Sequence, residues 1–392
     1  MSFRRVNRGA AVLGSSRICR STGFAAFPIC SCLLVLLLLS CSGVGPKDFP
    51  NCELSAVGSD GRPRITVFFS TNRLPAGQIA TDPTFGVERA NEITYGKAVV
   101  SLPSNDEREF GRIVGFRILT TELFQEDSAF ADALRAAARA QQARFGTSQD
   151  LVFVHGYNES FERVVFRVAQ MAHDGCLRAV PIVFAWPSRD SLLAYLYDVD
   201  SATYSRWDLA HVLDLVRDHS GFDVTHVMAH SMGNWVTLEA LRLMPPQAKT
   251  DAERISPRRF GTIILASPDM DLDIFRRELP TAMDAAEKVV LLASQRDFLI
   301  RVSGFLSDDS PRAGGASTDE LTRHRIQMES NFSIVRMDGP EIASCADGSH
   351  RCAETNAQIL RQIDLIMEES KDLARIRRDI RIPSTGNHAP TL

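Results

Sequence analysis

From residue 150 onward the apolar positions follow a repeating rhythm. Short continuous apolar runs alternate with longer segments in which apolar residues recur at helical spacing. The runs are 150–156 (DLVFVHG), 179–188 (AVPIVFAWPS), 224–231 (VTHVMAHS), 261–269 (GTIILASPD), 288–297 (KVVLLASQRD) and 332–339 (FSIVRMDG); they predict strands. The segments 160–174, 208–220, 234–244 and 353–370 predict the intervening helices. Upstream, 64–71, 93–103 and 112–119 read as strands, and the Ala-rich 127–145 as a helix. Apolar strands alternating with helices predict an α/β fold with a mostly parallel central sheet and helices on both faces. Ligands in such sheets bind at the carboxyl ends of the strands.

The rhythm also sets the boundaries. Residues 64–370 form the α/β domain, 41–63 a Gly- and Pro-containing tether, and 371–392 a loose tail. Residues 1–40 differ: they carry Arg4, Arg5, Arg8, Arg17 and Arg20, no acid, and then a long apolar run into Cys41. This is the layout of an export signal. Leu38-Leu39-Ser40-Cys41 is similar to a bacterial lipobox, which would make Cys41 a lipidated first residue; an uncleaved membrane anchor over 24–44 is the alternative. Both readings predict an exported protein of the cell envelope, held on a membrane and facing the periplasm or exterior.

Charge changes the picture once the signal is removed. The chain has 44 basic and 48 acidic residues; losing five arginines leaves 39 against 48, or −9. That balance argues against nucleic acid as a partner. Of eight cysteines, Cys52, Cys176, Cys345 and Cys352 lie beyond Cys41. An exported chain permits disulfides among them, and Cys345 with Cys352 is the nearest pairing in sequence; unpaired or differently paired thiols are the alternative. No Cys or His spacing suits a metal, and no cofactor is expected.

The candidate chemistry begins at Ala229-His230-Ser231-Met232-Gly233, between a strand and a helix. That is the context of the G-x-S-x-G nucleophile elbow, with Ala229 in place of the first Gly. The turn needs small residues two before and two after the Ser, and it presents the Ser231 hydroxyl at a helix N-terminus. His230 reads as a packing or lining residue. A serine hydroxyl needs a base. His350 follows the last strand and is favoured over His324 and His388. The acid that orients it is Asp297, at the end of 288–297, with Asp269 as the alternative. An oxyanion would meet the Met232 amide and the Tyr157 amide, the latter in the loop of "FVHGYN", where Gly156 allows close approach and Asn158 fixes the turn. Trp186, Pro187, Ser188, Tyr195, Asp198 and Ser205 read either as a roof over the acyl pocket or as a structural loop.

Taken together, "VFFSTNR" (67–73), "FVHGYNESFE" (153–162), "FAWPSRDSLLAYLYDVDSATYS" (184–205), "AHSMGNW" (229–235), "ASPDMDLDIF" (266–275) and "ASQRDFLIRVS" (293–303) resemble the α/β-hydrolase superfamily. More narrowly, they are similar to a bacterial family of esterase/lipase-like proteins treated as a domain of unknown function. The resemblance spans roughly 64–366. It implies an eight-stranded type of sheet, a Ser231–His350–Asp297 triad, and cofactor-free hydrolysis of a small-molecule or lipid-like carboxylic ester or thioester. An acyltransferase with the same triad, or a non-catalytic ligand-binding envelope lipoprotein, are the competing expectations.

Overall fold

Leu151 and Phe153 pack on one side of a central sheet, Val152 and Val154 on the other. Every residue of their strand, Gln149–Val154, is buried. The run lacks polar alternation because both faces of the sheet are covered. This computed structural model describes residues 52, 54–77, 84–104, 107, 112–244, 259–306, 310–324, 326, 330–338 and 349–380. All of them lie in the compact unit Val44–Leu392.

The strands in chain order are β1 (Ala56–Val57), β2 (Pro63–Pro75), β3 (Phe85–Ser101), β4 (Arg117–Phe124), β5 (Gln149–Val154), β6 (Val180–Phe184), β7 (Val224–His230), β8 (Phe260–Ala266), β9 (Ala286–Ala293) and β10 (Phe332–Arg336). They form one ten-stranded sheet ordered β10-β9-β8-β7-β5-β6-β2-β3-β4, with β1 beside β2. The pairings from β2 across to β10 are parallel; β3 and β4 add an antiparallel edge. The strand count exceeds the eight that the resemblance implies: β3 and β4 extend one edge as an antiparallel arm, and the two-residue β1 pairs with β2 off the main path.

The helices are α1 (Asp127–Phe145), α2 (Phe161–Asp174), α3 (Tyr195–His219), α4 (Gly233–Leu243), α5 (Leu272–Ala285), α6 (Phe298–Leu306), α7 (Thr318–Arg323), α8 (Cys352–Thr355) and α9 (Ala357–Ile380). One face of the sheet is packed by Leu134 of α1, Leu213 of α3, Val236 of α4 and Phe275 of α5. The other is packed by Val164 and Val168 of α2 and by Ile363 and Met367 of α9. The chain leaves β5 toward β6 on one side and reaches β7 on the other, so the carboxyl ends of β5 and β7 diverge. That is the switch point at which open α/β sheets bind ligands.

Several features depart from the sequence pattern: α5, α6 and α7 fall where no helix is expected, and β4 (Arg117–Phe124) lies later than the predicted 112–119. Helix α3 begins at Tyr195, well before the predicted 208, because its inner face is polar: Asp198, Ser201 and Ser205 are fully buried. Asn72 donates to Ser205 Oγ at 3.0 Å and to Asp208 Oδ2 at 2.7 Å, which satisfies that face. Helix α9 runs to Ile380, past the expected start of the tail at 371; 381–392 lie outside the described residues. A disulfide joins Cys52 to Cys176, 124 residues apart, a pairing that spacing did not suggest. Cys352 is also disulfide-bonded; Cys345, its expected partner, lies outside the described residues. So do the export signal and Cys41; among the described residues no helix is long and apolar enough to cross a membrane.

Candidate active site

The turn from β7 into α4 places Ser231 at φ 53°, a left-handed backbone that an L-residue rarely adopts. Its surroundings hold that strain. The Ser231 amide donates to the Ala266 carbonyl at 3.0 Å, and its own carbonyl accepts from the Asn234 amide at 3.1 Å and from Asn234 Nδ2 at 2.9 Å. Gly233 has no room for a side chain: a Cβ there would lie 2.4 Å from the Val154 carbonyl oxygen. The elbow is therefore wedged against the end of β5, with Ser231 at the N-terminus of α4.

The chain leaves β5 through His155 and Gly156 for the same reason. A Cβ on Gly156 would stand 2.8 Å from Ser231 Cβ, so the loop passes directly over the serine. Trp186 stacks on His155 with ring centroids 4.8 Å apart and donates from Nε1 to the His155 carbonyl at 2.8 Å. Burial, aided by nearby Arg73, pushes His155 down to about 3, so the ring is neutral. Asn158 follows at φ 61°. Its amide donates to Asp198 Oδ2 at 3.1 Å, and Asp198 also accepts from Ser188 Oγ at 2.5 Å and from the Arg189 amide at 2.8 Å. Fully buried Arg73 donates to the carbonyls of Gly86, Ser188 and Glu159, tying three segments together. Among the described residues, the amides of Tyr157 and Met232 donate to no protein acceptor. Both belong to the loops that flank Ser231.

His350 Nδ1 lies 2.8 Å from Asp297 Oδ2. Asp297 is almost fully buried, and its other oxygen accepts from the Ile300 amide at 3.1 Å. Burial by itself would raise the Asp297 carboxyl, but His350, their hydrogen bond, the Ile300 amide and His230 together hold it below the usual value. An ionised Asp297 accepts a hydrogen bond from Nδ1–H, which leaves Nε2 of His350 as the basic nitrogen. The His350 ring packs on the ring of His230, the residue before Ser231, at 4.6 Å.

Asp269 makes no such contact. It accepts from Ser303 Oγ at 2.6 Å, lies 3.4 Å from the Tyr195 hydroxyl and 3.6 Å from Arg312 Nε, and its amide approaches the Ser231 carbonyl at 3.5 Å. It borders the site beside Tyr157, whose ring meets Tyr195 edge-on at 5.5 Å. His324 is paired with Asp273 at 2.9 Å, and His388 lies outside the described residues. Trp186, Ser188, Asp198 and Ser205 are fully buried supports; of that group, Tyr195 alone reaches Asp269. The segment after α6 is pinned, since the Ser294 amide donates to the Gly314 carbonyl and the Gly314 amide to the Pro268 carbonyl, each at 2.9 Å. Among the described residues no cluster of His, Cys, Asp or Glu could hold a metal.

The sequence reading missed one partner. His230 does not merely pack: its Nδ1 lies 2.8 Å from Glu354 Oε1 and its Nε2 3.0 Å from the His350 carbonyl oxygen. Glu354 sits in α8, where nothing in the local pattern marks it.

Residues 132–363 match the model of a family described as alpha/beta hydrolase of unknown function (DUF900). A search of curated proteins gave no match. Similar solved structures include an esterase of Pyrococcus furiosus, at 11% identity and TM-score 0.34 over 57% of this chain and 82% of that one. A peroxisomal alpha-beta-hydrolase of Saccharomyces cerevisiae is similar at 12% identity and TM-score 0.30, over 84% of this chain and 92% of that one. A hydrolase of Thermoplasma acidophilum is similar at 11% identity and TM-score 0.31, over 72% and 93%. By the extent of the family match, the chain belongs to the α/β hydrolases of the DUF900 family.

Proposed function

We propose that this α/β hydrolase is a serine hydrolase that cleaves carboxylic esters or thioesters through an acyl-enzyme. The observation that carries the reading is a strained Ser231 in the angle between β5 and β7, together with a His350 that packs on the ring of the adjoining His230 and whose Nδ1 is held 2.8 Å from a buried Asp297. Folding alone has no use for a serine at φ 53° on such a turn.

In this reading Ser231 Oγ attacks the ester carbonyl carbon while its proton passes to Nε2 of His350. Asp297 holds the ring and stabilises the imidazolium. The carbonyl oxygen becomes an oxyanion that accepts hydrogen bonds from the Tyr157 and Met232 amides. The bond to the leaving alcohol or thiol then breaks, and that group takes the proton from His350. Water attacks the acyl-Ser231, again giving its proton to His350. Collapse of the second intermediate breaks the bond to Ser231, whose Oγ takes the proton back from His350, and releases the carboxylic acid.

Exposed apolar side chains favour a lipid-like ester. Leu193 and Leu196 flank Tyr195, and Phe298 and Phe305 lie in the same helix as Ser303. Tyr195 and Ser303 both contact Asp269, which brings the segment that carries Leu193 and Leu196 to α6. The N-terminal pattern supports export and attachment to a membrane through Cys41, and the Cys52–Cys176 disulfide suits an oxidising compartment. Loss of lipid label in Cys41→Ser, with retention in the parent chain, checks the attachment.

The deciding test is labelling of the full chain with a fluorophosphonate, which reports an activated serine of any specificity. Expected is labelling that is abolished in Ser231→Ala and slowed at least about 1,000-fold in His350→Ala. A folded parent protein that takes no label overturns the reading.

A further inference from the structure

Among the described residues, His230 faces two hydrogen-bond acceptors and no donor. Glu354 Oε1 lies 2.8 Å from its Nδ1 and the His350 carbonyl oxygen 3.0 Å from its Nε2. A carbonyl oxygen cannot donate, and Glu354 is kept ionised: burial opposes its charge, but His230, Arg351 and Arg167 outweigh that. An imidazole that donates from both nitrogens carries both protons. His155 makes the contrast. It too is buried with carbonyl oxygens near both nitrogens, but Arg73 stands beside it and no carboxylate touches it, and its ring is neutral. The carboxylate of Glu354 is what makes His230 a cation; burial opposes its charge, yet Glu354 and the His350 carbonyl carry it above its ordinary value.

We propose that His230 is a positioning residue: held as an imidazolium by Glu354, it clamps the main chain of His350 while Asp297 clamps the side chain. This rests on the triad proposed above. One hydrogen bond to the ring leaves the base free to pivot with its loop; a second, to the backbone of the same residue, removes that freedom. The clamp reaches His350 from the residue next to the nucleophile, so base and nucleophile are referenced to one another. The charged and titratable groups around His230 are Glu354 in α8, Arg351 just before it, Arg167 in α2, Glu159 in the loop after β5, Asp297 after β9, and the His350 ring. Arg351 pairs with both Glu159 and Glu354, and Arg167 with Glu354 at 3.6 Å, so the network spans the loops on both sides of Ser231. As pH rises and His230 loses a proton, the remaining one stays toward the carboxylate. Nε2 then turns a lone pair on the His350 carbonyl, and the clamp opens.

The test is the fluorophosphonate labelling of the full chain as a function of probe concentration and pH, in the parent protein and in Glu354→Gln. The glutamine keeps the size and shape but cannot hold a cation. Expected is a maximal labelling rate about 10–100-fold lower, with the half-saturating concentration unchanged. The alkaline fall in rate should move to lower pH. A folded Glu354→Gln protein with the parent rate and pH profile overturns the clamp and leaves the triad standing; loss of labelling in the parent itself would instead remove the triad. Should Glu354→Gln not fold, nitrogen NMR of labelled histidine in the parent protein decides. Expected at pH 7 is one ring with both nitrogens protonated and slow solvent exchange. A singly protonated buried ring at His230 overturns the inference.

Discussion

The Gly156 backbone passes directly over the Ser231 side chain: a Cβ on the glycine would stand 2.8 Å from the Cβ of the serine and 3.2 Å from the His230 carbonyl oxygen. No L-residue with a side chain fits there unless the loop after β5 or the elbow after β7 moves. Gly156→Ala should therefore separate the two loops that carry the oxyanion amides. Expected is a fluorophosphonate labelling rate at least about 100-fold lower and a stability loss of about 1–3 kcal/mol, read by denaturant unfolding. A fully active, equally stable variant would show that the loops do not cooperate.

Asp198 holds the same loop from behind. Its fully buried carboxylate serves the Asn158 amide, Ser188 Oγ and the Arg189 amide. Asp198→Ala would leave these donors unpaired at a cost of about 2–4 kcal/mol. The melting temperature should drop, and labelling should slow about 10-fold in the fraction that remains folded at 25 °C. Serum-free thermal scans and labelling at one temperature check both arms.

Asp297 and Asp269 should part company under mutation. With His350 on Asp297 at 2.8 Å, Asp297→Ala is expected to slow labelling at least about 1,000-fold. Asp269→Ala should cost about 10-fold or less, since Asp269 bonds Tyr195 and Ser303 rather than His350. The pH dependence follows from Asp297. Its folded pKa lies below the ordinary 3.8. Its ionised form therefore stabilises the fold above that unfolded value, and the contribution disappears as pH falls through the folded one. Denaturation curves between pH 6 and pH 2 should show the parent losing stability across that window more steeply than Asp297→Asn.

The Cys52–Cys176 disulfide closes a loop of 124 residues and ties the segment before β1 to the end of α2. Reduction, or Cys52→Ser, should lower stability by about 3–5 kcal/mol on the chain-entropy account. Labelling at 25 °C should persist, because neither cysteine borders Ser231. An unchanged midpoint of unfolding under reducing conditions would count against a structural role for the bond.

The sequence by itself determined the sheet and its order of alternation. Val152, Phe153 and Val154 announce a strand buried on both faces because burial on both sides removes polar residues from the run. It also determined the turn at Ser231, since a tight strand–helix elbow admits few residues two places from its centre, and Gly233 with Ala229 satisfies that local rule. Local rules stop there. Asp269 and Asp297 follow neighbouring parallel strands, β8 and β9, and look equivalent in one dimension; which carboxylate meets His350 depends on where tertiary packing places His350 itself. Helix α3 hid its first half because its buried face is polar, and a polar face becomes legible only when Asn72 and Asn158 arrive from other elements to bond it. Glu354 and His230, and Cys52 and Cys176, are each far apart in the chain and carry no periodic signature. Periodicity records what a residue's own element buries; charge pairing, bonding of buried polar groups and disulfide closure record who comes from elsewhere, and only tertiary packing decides that.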